Sequence, residues 1–268
     1  MTADERLALV RLKIERANKH IDDLQSAIQA FFNPGPYKIA AKRDPQTRRL
    51  IYYLASMEPV PASIRAITGD ILNSLRSALD HLAQHLYLVG SGANEYRNKT
   101  SFPISPSAKD FKSSFVAKKT EGMREDAINA ILALEPYGGG KGADLWTLDR
   151  LNNIDKHRLI IAVWSTLGGV GIGNIMAKFT SISPEAKKEF KQFTDTIFIA
   201  ESPVRPLKTG DELFTDLPDA EPDEDRKFRF QISIHEPGVM EGRPVLETLV
   251  QFRDRVNGIV EAFRPFLS

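Results

Sequence analysis

The stretch SIRAITGDILNSLRSALDHLAQHLYLVG, residues 63–90, decides the helical part of the fold. Its apolar residues recur mostly at steps of three and four, which is the spacing of one side of an α-helix. They are Ile64, Ile67, Ile71, Leu75, Ala78, Leu79, Leu82 and Leu86. Prolines precede the stretch and Gly90-Ser91-Gly92 ends it, as is typical of helix boundaries. The spacing therefore predicts a long amphipathic helix that buries one side against other helices.

Further segments show the same spacing and predict more helices. Long ones are predicted from Leu7 to Phe31, at residues 143–157, and from Val245 to Phe263. Shorter ones are predicted at Ala108–Ala117 and Glu125–Leu134. Long helices with one apolar side can bury one another, so we expect a helical bundle.

Other segments favour strands. Aromatic and β-branched residues crowd residues 37–43 and 50–57 on either side of a proline turn, which predicts a β-hairpin. Residues 168–243 change to short β-like runs separated by turns, and these runs are Ile172–Phe179, Thr196–Ala200 and Phe228–Ile234. Within them, Asp216–Asp225 is predicted to be a solvated acidic loop. The apolar run Leu159–Trp164 fits either a continuing helix or the start of a buried strand.

Together these elements predict an α+β fold that is mainly α. Residues 1–167 are expected to form a helical core with the hairpin at 37–57. Residues 168–243 would be a β-rich insertion, and 244–268 a C-terminal helix that packs back on the core. We expect a single compact domain, because 268 residues can bury one large core.

Composition excludes several classes of protein. The chain has no cysteine, which rules out disulfides, thiolate zinc sites and thiol catalysis and fits a reducing compartment. Charges interrupt the first residues, so no secretion signal is predicted, and no apolar run is long enough for a membrane span. We therefore predict a cytoplasmic protein without a membrane partner. Because 36 basic residues nearly balance 35 acidic ones, nucleic acid would need a local basic patch.

The best local basic patch is on the predicted hairpin. It consists of Lys38, Lys42, Arg43, Arg48 and Arg49. These cations could contact a phosphate backbone. A solvated hairpin face is the interpretation that we favour for them.

The second long helix also carries an unusual polar side. It consists of Asp70, Asn73, Arg76, Ser77, Asp80, His81 and Gln84. Short polar side chains beside Arg and His suit an enclosed site, and Arg76 and Asp80 are spaced to form an ion pair along the helix. The alternative interpretation is a buried polar seam that joins helices.

A second polar cluster ends another predicted helix, with the sequence Asn152-Asn153-Ile154-Asp155-Lys156-His157-Arg158. Cations at a helix C-terminus are favoured by the helix dipole, which is one explanation of this cluster. The other is functional, because His81 and His157 each lie in a patch that also holds an Asp and an Arg. If the two patches meet, they could form a proton-transfer site.

Both clusters carry a resemblance to known families. Arg76-Ser77-Ala78-Leu79-Asp80-His81 resembles the Arg, four residues, His signature of HEPN-type domains. The runs Gly69–Leu82 and Asn153–Arg158 resemble the hallmarks of an uncharacterised bacterial protein family, and that resemblance covers most of the chain. The HEPN resemblance implies a helical, dimeric, metal-independent ribonuclease of the toxin or defence type. At Ser77 the sequence departs from it, because that family usually has Asn, Asp or His there.

The HEPN resemblance also implies roles for residues. His81 would act as general base or general acid at an RNA phosphodiester, and Arg76 would stabilise the charge on the phosphorane oxygens. Arg76 and His81 differ by about 140° around a helix, so a homodimer or His157 would have to complete the site. Supporting residues would be Asp70, Asn73, Ser77, Asp80, Asp155 and Arg158.

Two functions therefore stay open. The first is this ribonuclease, and the second is a non-catalytic binding or scaffold protein in which the Arg, Asp and His cluster is structural. We predict neither metal nor cofactor. His81 and His85 have the spacing of a zinc-binding helix, but the glutamate of the usual zinc motifs is missing.

Overall fold

The computed structural model describes residues 1–112, 114–158, 162–171, 198–199, 205–224 and 226–268. For Ser114, Arg158, Phe198 and Ile199 it describes only the backbone. The chain divides into two compact units. The helical unit contains Met1–Ala27, Ala62–Ile161 and Val245–Ser268. The sheet unit contains Ile28–Pro61 and Ala162–Pro244.

The long helices of the helical unit lie where the periodicity predicts them. They are α1 (Ala3–Phe32, which continues into the sheet unit), α2 (Ala62–Ser91), α6 (Ala143–Arg158) and α7 (Val245–Ala262). Three shorter helices are α3 (Ala108–Phe111), α4 (Ser114–Thr120) and α5 (Glu125–Ala133), so the predicted helix at 108–117 is divided between two. A 3₁₀ turn, Arg264–Leu267, follows α7.

Helix α2 carries the apolar core of the helical unit. Its predicted apolar side is almost fully buried, with Ile64, Ile71, Leu75, Ala78, Leu79, Leu82 and Leu86 at most 1% exposed. It packs against α6 and α7. Pro61 directly precedes the first residue of α2. The helix ends before Gly92, because Gly92 has φ +69° and a residue in this left-handed conformation cannot continue the helix.

Three polar pairs join α1 to the C-terminal segment. Arg264 contacts Asp4 through Nε and Oδ1 at 2.8 Å, and Arg11 contacts Glu261 at 2.7 Å. Arg253 donates to Asn18 Oδ1 at 2.8 Å. The pairs step along α1 as they step back along α7, so the two helices run antiparallel. Because these pairs are at least partly exposed, they contribute little to the free energy of unfolding and mainly fix the register of the two helices.

The sheet unit contains two antiparallel sheets. In the first, β1 (Tyr37–Arg43) pairs with β2 (Arg49–Met57), which pairs with β5 (Glu212–Pro218). In the second, β4 (Phe198–Ile199), β3 (Val163–Gly171), β6 (Phe228–Glu236) and β7 (Met240–Pro244) lie in that order. Their shared core is formed by Leu54, Leu167, Val170, Leu207 and Leu213.

The structure groups the segments differently from the prediction in two respects. The hairpin belongs with the later strands and not with the helices, because β2 forms ladder hydrogen bonds with β5. The β-rich part begins at Val163, before the predicted boundary, and residues 159–161 lie outside the description. The predicted strand Ile172–Phe179 also lies outside it, and Thr196–Ala200 is described only at Phe198–Ile199.

One contact between α2 and α6 generates a prediction. A Cβ atom at Gly69 would lie 2.5 Å from both carboxylate oxygens of Asp155 and 2.6 Å from its Cγ. We expect Gly69→Ala to lower the free energy of unfolding by about 1–3 kcal/mol, because Asp155 has to move away. Chemical denaturation of both proteins would measure the difference.

Gly258 on α7 supplies the matched control, since a Cβ there would have no described atom within 4 Å. Gly258→Ala should raise the free energy of unfolding by about 0.5–1 kcal/mol. Adding Asp155→Ala to Gly69→Ala should recover part of the loss. A Gly69→Ala protein as stable as Gly258→Ala would show that the contact does not constrain the helices.

Candidate functional site

Arg76 is largely buried, and each of its guanidinium nitrogens has an acceptor. Its side chain is 11% exposed. Nε donates to Asp149 Oδ1 at 2.7 Å, Nη1 to Asp80 Oδ1 at 2.5 Å, and Nη2 to the Phe102 carbonyl at 3.1 Å. All three guanidinium nitrogens therefore have an internal acceptor. Burial alone would lower the pKa of Arg76, but the Asp80 and Asp149 carboxylates outweigh it and raise the pKa, so the group stays charged.

The acceptors of Arg76 belong to a connected set. Asp80 Oδ1 also accepts from the backbone N–H of Phe102 at 3.0 Å. Asp149 Oδ2 accepts from Asn153 Nδ2 at 2.9 Å. One buried cation thus connects α2, α6 and the loop before α3.

Gln84 holds the same loop one helical turn further along α2. Its Nε2 donates to the carbonyls of Arg97 and Thr100 at 2.9 and 2.8 Å. Its Oε1 accepts from the Arg97 N–H at 3.1 Å. Arg76, Asp80 and Gln84 are spaced by four and form one line along the helix. This polar line fastens the loop 97–102 to α2.

His81 lies on a different side of α2. It is half-buried, and its pKa is lowered mainly by burial and further by the nearby charge of Lys13 on α1, while Asp80 acts in the opposite sense. Arg76 points to α6 and the loop, whereas His81 lies towards α1. The two groups of the Arg-x4-His pattern therefore do not converge within one chain, as their separation of about 140° leads one to expect.

His85, one turn after His81, is a buried histidine. It is 1% exposed, and neither ring nitrogen has a hydrogen-bond partner in the part of the chain that the structure describes. Its ring lies edge-on to Tyr96 with centroids 5.8 Å apart. Burial, with smaller contributions from the charges of Arg6 and His81, lowers the pKa of His85 to about 4.

The α6 cluster meets α2 elsewhere. Asp155 is half-buried beside Gly69, and its pKa is raised mainly by burial and further by the charge of Asp70. Asn152 is 1% exposed, and neither its amide nitrogen nor its amide oxygen has a hydrogen-bond partner among the residues that are described. His157 is exposed, and the side chain of Arg158 lies outside the description.

The two helices are antiparallel, since Arg76 meets Asp149 whereas Gly69 meets Asp155. His81 is therefore about 18 Å along α2 from the level of Asp155, and His157 lies beyond Asp155. A single chain does not bring His81 and His157 to one phosphate. Of the other predicted residues, Asp70 and Asn73 are exposed and Ser77 is half-buried.

Sequence reasoning missed Asp149, the second carboxylate of Arg76. A signal was present, because Asp149 and Asn153 are four apart on α6, the spacing of a side-chain pair on a helix. That spacing does not reveal which residue of another helix Asp149 and Asn153 contact.

No family model matches the chain, and no curated protein or solved structure matches it either. The resemblances to HEPN-type domains and to the bacterial family stay predictions from the motifs. In the described part of the chain, no helix has the length and apolar character of a membrane span. Among the same residues, no cluster of three or more His, Asp or Glu side chains is arranged to hold a metal ion.

Arg76 generates the first prediction of this site. Arg76→Met should lower the free energy of unfolding by about 3–5 kcal/mol, because it leaves the Asp80 and Asp149 carboxylates without their cation. Arg11→Met, which removes an exposed ion pair of the same kind, should cost at most about 1 kcal/mol. Urea denaturation would give both values. Equal effects of the two substitutions would contradict a structural role for Arg76.

His85 generates a prediction of pH dependence. Its folded-state pKa of about 4 lies below the ordinary 6.5, so the unfolded chain binds the proton more readily. The contribution of neutral His85 to the free energy of unfolding is therefore present above pH 6.5. It is lost as the pH falls towards 4, which lowers the free energy of unfolding by about 3 kcal/mol. In His85→Phe we expect the free energy of unfolding to fall less over this interval.

The same change at exposed His157 is the control, and it should leave the wild-type pH dependence in place. Denaturation curves at several pH values would compare the three proteins. If His85→Phe and wild type lose the same stability between pH 6.5 and 4, His85 does not titrate as described.

Proposed function

We propose that the protein is a non-catalytic binding protein whose helical unit is a bundle around α2. In this proposal the Arg76 cluster is a structural polar seam. The observation that carries it is the pairing of all three guanidinium nitrogens of Arg76 with Asp80, Asp149 and the Phe102 carbonyl. A cytoplasmic location is part of the proposal and is supported by the cysteine-free composition.

The energetics of Arg76 support a structural role. A phosphate that binds this guanidinium would compete with two carboxylates that already contact it, those of Asp80 and Asp149, whose side chains are 39% and 20% exposed. Separating a buried ion pair leaves a charge uncompensated and costs several kcal/mol. Displacing Asp80 would also remove the acceptor of the Phe102 N–H. Phosphate binding would thus be coupled to loosening the loop.

A ribonuclease of the HEPN type is the second candidate, and His81 is the observation that favours it. Its lowered pKa keeps the imidazole neutral at pH 7, which is the form that a general base needs. It is partly exposed and lies near the cation Lys13. In this candidate a homodimer would supply a cation from the second chain, and RNA would be the substrate.

Incubation with a structured RNA separates the two candidates. We expect the wild-type protein to produce no cleavage above buffer, because Arg76 is occupied by carboxylates. Three proteins would be compared by denaturing gel, namely wild type, His81→Gln and His20→Gln. The last is the matched control, since His20 is a partly exposed histidine on α1 outside the cluster.

Cleavage by wild type and His20→Gln that disappears in His81→Gln would reject the non-catalytic proposal. It would support the ribonuclease, above all if the products end in a 2′,3′-cyclic phosphate. Cleavage equal in all three proteins would indicate a contaminating nuclease. Sedimentation equilibrium would test the homodimer separately.

A further inference from the structure

The sheet unit contains a cavity of about 280 Å³ above the hairpin. One wall is the face of β1 and β2 that carries Ile39, Ala41 and Tyr52. The opposite side is formed by Pro222, Asp223, Glu224 and Arg226, with Phe228 of β6 beside them. The Tyr52 hydroxyl accepts from the Asp223 N–H at 2.8 Å and so holds this segment to the sheet.

Arg226 is the buried charge of this cavity. Its side chain is 2% exposed, and its Nη2 donates to Asp216 Oδ2 at 2.6 Å. The guanidinium lies over the Tyr52 and Phe214 rings, 5.0 and 4.7 Å from their centroids. Asp216 itself is 6% exposed, so the predicted acidic loop is not solvated at its first residue.

Two nitrogens of Arg226 have no acceptor. Nε and Nη1 are buried and without hydrogen-bond partners among the described residues. A buried N–H of a charged group that lacks an acceptor is destabilising, and the contacts with the aromatic rings offset only part of this cost. Arg76, the comparable cation of the helical unit, has every nitrogen paired. Because Arg226 lines the cavity, its Nε and Nη1 are the donors that a ligand entering it would satisfy.

The charge around Arg226 decides what kind of ligand fits. Among the described residues, Asp216 and Asp223 lie 2.6 and 3.6 Å from the Arg226 guanidinium, and Glu224 lines the same cavity. A simple anion would satisfy Arg226 but would be repelled by these carboxylates. A ligand with an acceptor at one end and a cation at the other satisfies both. The wall of Ile39, Ala41 and Phe228 suits a short apolar part.

We propose that this cavity binds a small zwitterion of the α-amino acid class. Its carboxylate accepts hydrogen bonds from Arg226, and its ammonium group lies against Glu224 at the exposed rim. The apolar side chain packs on Ile39 and Phe228. The volume of about 280 Å³ is below the usual range of drug-sized sites, which suits a molecule of this size.

Isothermal titration calorimetry of the full chain with each of the twenty standard amino acids, at up to about 5 mM, tests the proposal. Propionate, propylamine, adenosine and guanosine would be titrated in the same way. We expect at least one amino acid with an apolar side chain to bind. Propionate and propylamine should bind at least about tenfold more weakly, since each satisfies only one end of the site.

Two variants locate the binding. Ala41→Trp should abolish it, because position 41 lies on the Tyr52 face and an indole there fills the cavity. Lys42→Trp is the matched control, since the next residue of a strand points to the other face, and it should bind as wild type does. Glu224→Gln, at an exposed position, should weaken amino acid binding about tenfold and should strengthen propionate binding, because it removes one of the carboxylates that repel an anion.

Several results would overturn the proposal. They are no binding by any amino acid, propionate binding as tight as that of the amino acids, or binding by nucleosides alone. Unchanged affinity in a folded Ala41→Trp would also reject it. If circular dichroism shows that Ala41→Trp is unfolded, Glu224→Gln tests the proposal instead. An amino acid affinity equal to that of wild type in Glu224→Gln would show that the ammonium group does not contact Glu224, and would reject the proposal. The ribonuclease test concerns His81 and is independent of these outcomes.

Discussion

A single charged group, the Arg76 guanidinium, constrains how the helical unit is arranged. A buried cation is tolerated only where acceptors surround it, and here these come from three parts of the chain. Asp80 comes from its own helix, Asp149 from α6, and the carbonyl of Phe102 from the loop. Each part must stay in place for the charge to stay compensated. The orientation of α2 against α6 is therefore tied to the position of the loop.

The three sides of α2 serve different neighbours. Its apolar side forms the core, and its line of Arg76, Asp80 and Gln84 holds α6 and the loop. A third side carries His81 and His85 towards α1. The Arg-x4-His pattern is thus divided between two interfaces. A spacing of five residues turns a helix by about 140°, so this division follows from helix geometry. Such a pattern can therefore arise from packing requirements alone.

The guanidinium groups of Arg76 and Arg226 differ in a way that bears on function. Each guanidinium nitrogen of Arg76 has an acceptor, so a ligand there would compete with bonds that already exist. Arg226 is more deeply buried, yet two of its nitrogens have no acceptor among the described residues. In our proposal a ligand there supplies acceptors to these two nitrogens. Binding chemistry is therefore better accommodated in the sheet unit than at the motif that first draws attention.

Local periodicity determined the long helices and the hairpin, because the repeat of apolar residues depends only on neighbours within a few positions. It also identified the polar side of α2. Only the tertiary structure decided that this side faces α6 and a loop, since Arg76 and Asp149 are 73 residues apart. The same holds for β2 and β5, whose pairing removes the hairpin from the helical unit. Periodicity states which side of an element is polar, whereas the packing of distant segments determines whether that side meets water or protein.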